Sequence, residues 1–305
     1  MNNYAEKLQK ILSASGWSQE ALANKLEVSF ATLNSWVNNK SEPRDKAKIK
    51  IDLLATKILG NTSVDQDELR ALKKSAERHT YSVRRLVSDR HLLDTLTVNL
   101  AYHSNGTEGS TMTLSDVEDV IIDNKVLKNR TAIEQREAIN TKTALDFLLD
   151  KLSEKGKDFI WTPELIQHVH LRLMSGIISD AGLWRNHAVR ISGSRTAVSN
   201  FIKIPELVNH LCAMANEESS DKIALLAHFH AKFEQIHPFS DGNGRAGRIL
   251  LFALALQRGL VPPILPKERR YAYYSYLELA QSRELFDPLE QYLAECIIAT
   301  ADKME

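Results

Sequence analysis

The strongest constraint on this chain is an interruption between two helices. Apolar residues Ile223, Leu226, Phe229, Phe233 and Ile236 recur at three- and four-residue spacing, and a second apolar stretch runs from Ile249 to Leu256. Between them stands His237-Pro238-Phe239-Ser240-Asp241-Gly242-Asn243-Gly244-Arg245-Ala246-Gly247-Arg248. Pro238 disfavours helical geometry at the residue before it, so a helix capped by Asp221 should stop at His237. The pattern predicts helix, glycine loop, helix.

Such a loop suits an anion. Glycines let backbone N–H groups turn toward a ligand, and the next helix points its positive end at the same place. Arg245 and Arg248 add planar forks for phosphate oxygens, while Asp241 offers a hard oxygen ligand for Mg²⁺. His237 supplies a base near neutral pH. The bland alternative is a structural turn with incidental charges. His228 and His230, on the preceding helix, read as packing or surface residues.

The 305 residues are 43% hydrophobic and 26% charged, which fits a soluble globular protein of about two domains. Formal net charge is zero, so any attraction to nucleic acid or anionic lipid must be local. Cys212 and Cys296 have no disulfide or zinc spacing and read as core thiols. No secretory pattern opens the chain and no apolar run nears the roughly 20 residues that span a bilayer. A cytoplasmic protein without a membrane partner is expected.

Residues 1–62 read as a small all-α domain of short helices, with turn signals at Ser15-Gly16, Glu27-Val28-Ser29 and residues 38–43. Residues 63–90 read as a helical linker and 91–305 as the main domain, mainly α. Within it, Val189, Ile191, Val198, Ile202 and Ile204 among Ser192, Gly193 and Ser194 suggest a short β-hairpin over 189–204.

The run from His237 to Arg248 matches the Fic signature, His-Pro-Phe-x-x-Gly-Asn-Gly-Arg-x-x-Arg, at every specified position. The chain thus resembles the Fic-family protein adenylyltransferases. The resemblance implies a helical bundle with a hairpin flap that transfers AMP from ATP to a Ser, Thr or Tyr hydroxyl of a target protein. His237 would be the base and Asp241 the Mg²⁺ ligand, with Gly242, Asn243, Gly244, Arg245, Ala246, Gly247 and Arg248 around the phosphates. Gly182-Leu183-Trp184-Arg185 and the hairpin resemble the family's flap, which would lay Ile191, Ser192, Gly193 and Ser194 over the nucleotide. Tyr273-Tyr274-x-x-Leu277-x-x-Ala280 resembles the helix that closes the nucleotide pocket. Tyr274 and Gln281 would touch adenine there, core packing being the alternative.

Upstream, Ser104-Asn105-Gly106-Thr107-Glu108-Gly109 resembles the Fic inhibitory motif Ser/Thr-x-x-x-Glu-Gly/Asn, on a helix at about 98–109 that precedes the core, the class II arrangement. Ser104, Glu108 and Gly109 fill its specified positions. The implied role is a Glu108 carboxylate paired with Arg248, where the ATP γ-phosphate belongs. Gly106-Thr107 replaces a more usual apolar pair, and glycine is expected to loosen the helix.

Residues 5–57 resemble a phage-repressor (Cro/XRE-type) helix-turn-helix. Ser18-Gln19-Glu20-Ala21-Leu22-Ala23 opens one helix, Ser29 caps the next, and Leu33 and Trp36 face a core. The resemblance implies duplex-DNA contacts from Ser29, Phe30, Ala31, Asn34 and Ser35, with Gln19 and Lys40 near phosphates, in a homodimer. Glu27 stands where the turn usually has glycine. Nine basic against six acidic residues in the first sixty is a small excess for phosphate binding, so protein docking is the alternative. Two functions compete: a regulated AMP transferase, or a transcriptional regulator whose Fic domain is subsidiary, uses another donor such as CDP-choline or UTP, or mainly removes AMP.

Overall fold

A computed structural model describes residues 4–60, 64–190 and 197–304. The chain is mainly helical, as expected, and falls into two units, one of residues 1–63 with 268–276, the other of residues 64–267 with 277–305.

In the first unit, α1 (Tyr4–Ser15), α2 (Gln19–Leu26), α3 (Phe30–Val37) and α4 (Asp45–Leu59) surround Leu8, Ile11, Leu22, Leu33, Trp36 and Ile51. Ser18 and Ser29 begin α2 and α3 by accepting the N–H of Ala21 and Thr32. Glu27 sits left-handed at φ 57°, the geometry in which a side chain costs about 1 kcal/mol that glycine avoids. Lys50 of α4 holds its carboxylate there.

The second unit holds α5 (Gln66–Ala76), α6 (Val83–Ser88), α7 (Arg90–Thr107), α8 (Leu114–Ile121), α9 (Ala132–Lys155), α10 (Pro163–Met174), α11 (Ile204–Asn216), α12 (Lys222–Ile236) and α13 (Asn243–Gln257). It also holds the end of α14 (Arg270–Arg283) and all of α15 (Asp287–Ala301). Of residues 63–90, read from sequence as a helical linker, 64–90 lie in this unit: α5 packs on α15, and α6 on α7 and α9. Helix α13 is buried continuously from Arg245 to Leu256, with α7, α9, α10 and α12 around it. A helix apolar on all sides must be central.

Of the expected hairpin, residues 191–196 lie outside the described residues, Ile191, Ser192, Gly193 and Ser194 among them. In the remainder, Phe201–Lys203 form a 3₁₀ turn and Ile204 opens α11, so Ile202 and Ile204 are not on a strand. Asn200 accepts the Ile202 N–H, and Pro205 suits the first turn of α11, where no N–H is needed. Cys212 and Cys296 are both buried. Among the described residues no helix is long and apolar enough to cross a membrane.

Candidate active site

Helix α12 ends where His237 turns left-handed at φ 49°, its N–H still bonded to Phe233 O at 3.0 Å. Arg185, almost wholly buried, clamps the reversal. Its Nε donates to His237 O at 2.7 Å, Nη1 to His187 O at 2.7 Å and Nη2 to Ser199 O at 2.6 Å. Asn243 then folds the loop on itself, donating to Phe239 O at 2.8 Å and accepting the Phe239 N–H at 2.9 Å. Its amide therefore shapes the cradle.

A histidine that the sequence did not single out lies beneath. Gly182 N–H donates to His170 Nδ1 at 2.9 Å, so Nε2 carries the proton and donates to Asp241 O at 2.9 Å. The His170 ring stacks on Phe239 with centroids 3.5 Å apart, and burial pushes its pKa down to about 4, keeping it neutral. At Gly242, φ is 75°, the left-handed conformation that favours glycine, and an added Cβ would press on the Met174 side chain, 2.9 Å from its Cγ.

His237, the expected base, has a fixed tautomer. His237 Nδ1 lies 3.2 Å from Glu234 O, which can only accept, so Nδ1 carries the proton and Nε2 presents a lone pair. Burial lowers its pKa; the Glu234 carbonyl opposes that shift and the Arg185 charge adds to it.

Glu108 and Ser104 both meet Arg248. Arg248 is 2% exposed; its Nη2 lies 2.6 Å from Glu108 Oε1 and its Nε donates to Ser104 Oγ at 2.9 Å. The four-residue spacing on α7 puts both side chains on one face. The carboxylate rests on Gly244, where any Cβ would collide with Oε1, in the first turn of α13. Gly109 leaves the helix at φ 108°, and Glu134 of α9 fixes the continuation by accepting the Thr111 N–H at 2.7 Å.

Arg245 is buried against Glu137 of α9 at 2.5 Å and lies 3.6 Å from Asp241. Glu234 is a buried carboxyl packed on Gly247, where a Cβ would strike its Oε1. Burial pushes Glu234 up to about 7; Arg248 pulls it down and Glu108 pushes it up. Its only sequence signal was an acid on an apolar helix face. Ala246 is buried inside α13.

Asp241 is 61% exposed, one oxygen accepting the Gly242 N–H at 2.6 Å. Among the described residues no group of three or more His, Cys, Asp and Glu could hold a metal ion. One exposed carboxylate fits Mg²⁺, which keeps waters and takes phosphate oxygens rather than a protein cage. Of the expected adenine contacts, Gln281 uses its amide on Ala231 O of α12 at 3.1 Å, whereas Tyr274 falls in the first unit beside Tyr273. In that unit Phe30, Ala31 and Lys40 are exposed, Asn34 donates to Gln19 at 3.0 Å, Ser35 bonds Ser41, and Ser29 serves as a cap.

Residues 160–255 match the Fic/DOC family and residues 8–51 a helix-turn-helix family. The chain is 30% identical over 207 residues to protein adenylyltransferase Fic of Aedes aegypti, covering 66% of this chain and 40% of that protein. The Nematostella vectensis protein of the same name is 30% identical over 203 residues, 66% of this chain and 47% of that one. The chain therefore spans less than half the length of these relatives. In fold it is similar to Fic-1 from C. elegans, with TM-score 0.64, 24% identity, and 93% of this chain and 84% of that chain covered. A Fic-domain signalling protein from Bacteroides thetaiotaomicron gives TM-score 0.62 at 18% identity, covering 78% of this chain and 95% of that one. Residues 160–255 are thus a Fic domain and residues 8–51 a helix-turn-helix domain.

Proposed function

We propose that the chain transfers AMP from ATP to a Ser, Thr or Tyr hydroxyl of a target protein, itself included, and that Glu108 restrains it. The observation that carries this reading is a single loop joining a base with its lone pair at Nε2 to a buried guanidinium at a helix N-terminus. His237 Nε2 takes the hydroxyl proton as that oxygen bonds to the α-phosphorus, and the bond to the departing diphosphate breaks. The α13 N-terminus, Arg245 and Arg248 hold phosphate charge, so most of the rate enhancement comes from positioning and electrostatics. Asp241 would hold Mg²⁺, which when bound neutralises phosphate charge. Glu108 on Arg248 occupies the charge meant for the γ-phosphate.

The test is incubation with labelled ATP beside CTP, GTP, UTP and CDP-choline, followed by mass spectrometry of the protein and of lysate bands. Addition of AMP from ATP supports the reading. Preference for another donor, or net release of AMP from prelabelled protein, overturns it.

For the N-terminal domain we infer duplex-DNA binding as a dimer on a two-fold site. Phe30, Ala31 and Lys40 stand exposed on and just after α3, with Gln19 and Asn34 paired across the turn, an arrangement suited to a major groove. A selection from random duplexes with the full chain tests it; absence of sequence preference at low salt favours protein docking.

A further inference from the structure

The turn of α7 that ends in Glu108 is gripped by a residue outside the signature. Lys267 donates its backbone N–H to His103 Nδ1 at 3.3 Å, and its ammonium sits 3.8 Å from the centre of the Tyr102 ring. Between these contacts its methylenes cross Gly106, where an added Cβ would collide with Cδ and lie 3.4 Å from Cε. Tyr102, His103 and Gly106 are positions i, i+1 and i+4 of α7, so one side chain spans the helical turn that presents Ser104 and Glu108 to Arg248. This accounts for Gly106, which departs from the inhibitory pattern: the missing Cβ makes the channel for the lysine. The helix continues through Gly106 to Thr107, its expected weakness offset by the covering chain.

We propose that Lys267 is a strap on the inhibitory turn, a positioning residue that sets how firmly Glu108 holds Arg248; this rests on the reading of Glu108 as the restraint. The strap acts only on the restrained state. Its effect on transfer must therefore vanish when Glu108 is absent, which a merely structural role would not do.

The experiment compares Lys267→Ala, Lys267→Met and Lys267→Arg in the parent chain and in Glu108→Gly, by AMP transfer and by amide hydrogen exchange over Gly106 to Ser110. In the parent, Lys267→Ala should raise transfer about 5- to 10-fold, the size of a part-buried cation–π contact with its packing. Lys267→Met, which keeps the methylenes, should raise it less, and Lys267→Arg should stay at the parent rate. In Glu108→Gly none should change transfer by as much as about twofold. An unchanged parent rate in Lys267→Ala, or an equal factor in both backgrounds, overturns the strap. If Glu108→Gly itself gives no rise, the inhibitory reading fails separately. Hydrogen exchange then decides: faster exchange in Lys267→Ala supports the grip on this turn, and unchanged exchange overturns it.

Discussion

Replacing Glu108 with glycine removes a carboxylate bonded to Arg248 and leaves the guanidinium bonded to Ser104. The Arg248 side chain is 2% exposed and that of Glu108 36%, so the pair is only partly shielded from water. Two unit charges about 4 Å apart attract by about 4 kcal/mol at an effective dielectric of about 20, but exposure of the carboxylate argues for the lower range of a charged hydrogen bond, about 1.5 to 3 kcal/mol. If that energy opposes productive γ-phosphate binding, Glu108→Gly raises transfer about 10- to 150-fold. Glycine relieves no left-handed strain there, since φ at Glu108 is −85°. Glu108→Gln keeps a neutral hydrogen bond and should fall between. The assay is the initial rate of label incorporation at saturating ATP and Mg²⁺, with circular dichroism as the control for folding. A folded Glu108→Gly protein that labels at or below the parent rate would show that Glu108 does not restrain transfer.

His237→Ala should lose about 10²- to 10⁴-fold in transfer while still binding ATP by calorimetry, because the cradle does not depend on the imidazole. Arg248→Ala should abolish transfer in both parent and Glu108→Gly backgrounds, since the same guanidinium serves glutamate and phosphate. His170 falls from 6.5 to about 4 on folding, so its contribution to stability is lost as pH drops through that window. Glu234 rises from 4.5 to about 7, so its contribution is lost as pH rises through that window, and the two oppose each other between about 4.5 and 6.5. Glu234→Gln should therefore make stability climb more steeply with pH there in denaturant titrations; an unchanged slope contradicts the Glu234 shift. Asn34→Ala in the full chain should weaken binding to a selected operator by about 1 to 3 kcal/mol and relax preference at one position, measured by anisotropy.

The loop was legible because its information is local: a proline, three glycines and two arginines within twelve residues fix a turn and a helix N-terminus. Ser104 and Glu108 were legible through resemblance, and their four-residue spacing does place both on Arg248. What holds the loop is another matter. His170 reaches Asp241 across 71 positions, Arg185 reaches His237 across 52, and Glu137 reaches Arg245 across 108, and no spacing in one sequence encodes such pairs. The span 189–204 was read by alternation alone, although Asn200 and Pro205 are helix-start signals that account for its described end. Gly106 was read as a weakness because propensity ignores tertiary cover, and Lys267 supplies that cover.

Movement of the α-phosphoryl group of ATP onto a hydroxyl by the His237 loop can be followed with two labels. Glu108→Gly protein is incubated with ATP labelled at the α-phosphate and, separately, at the γ-phosphate, each beside the Glu108→Gly, His237→Ala double variant. Stable protein-bound label should come from the α position only and be absent in the double variant. Label arriving from the γ position, or α label that persists without His237, would contradict that role of the loop.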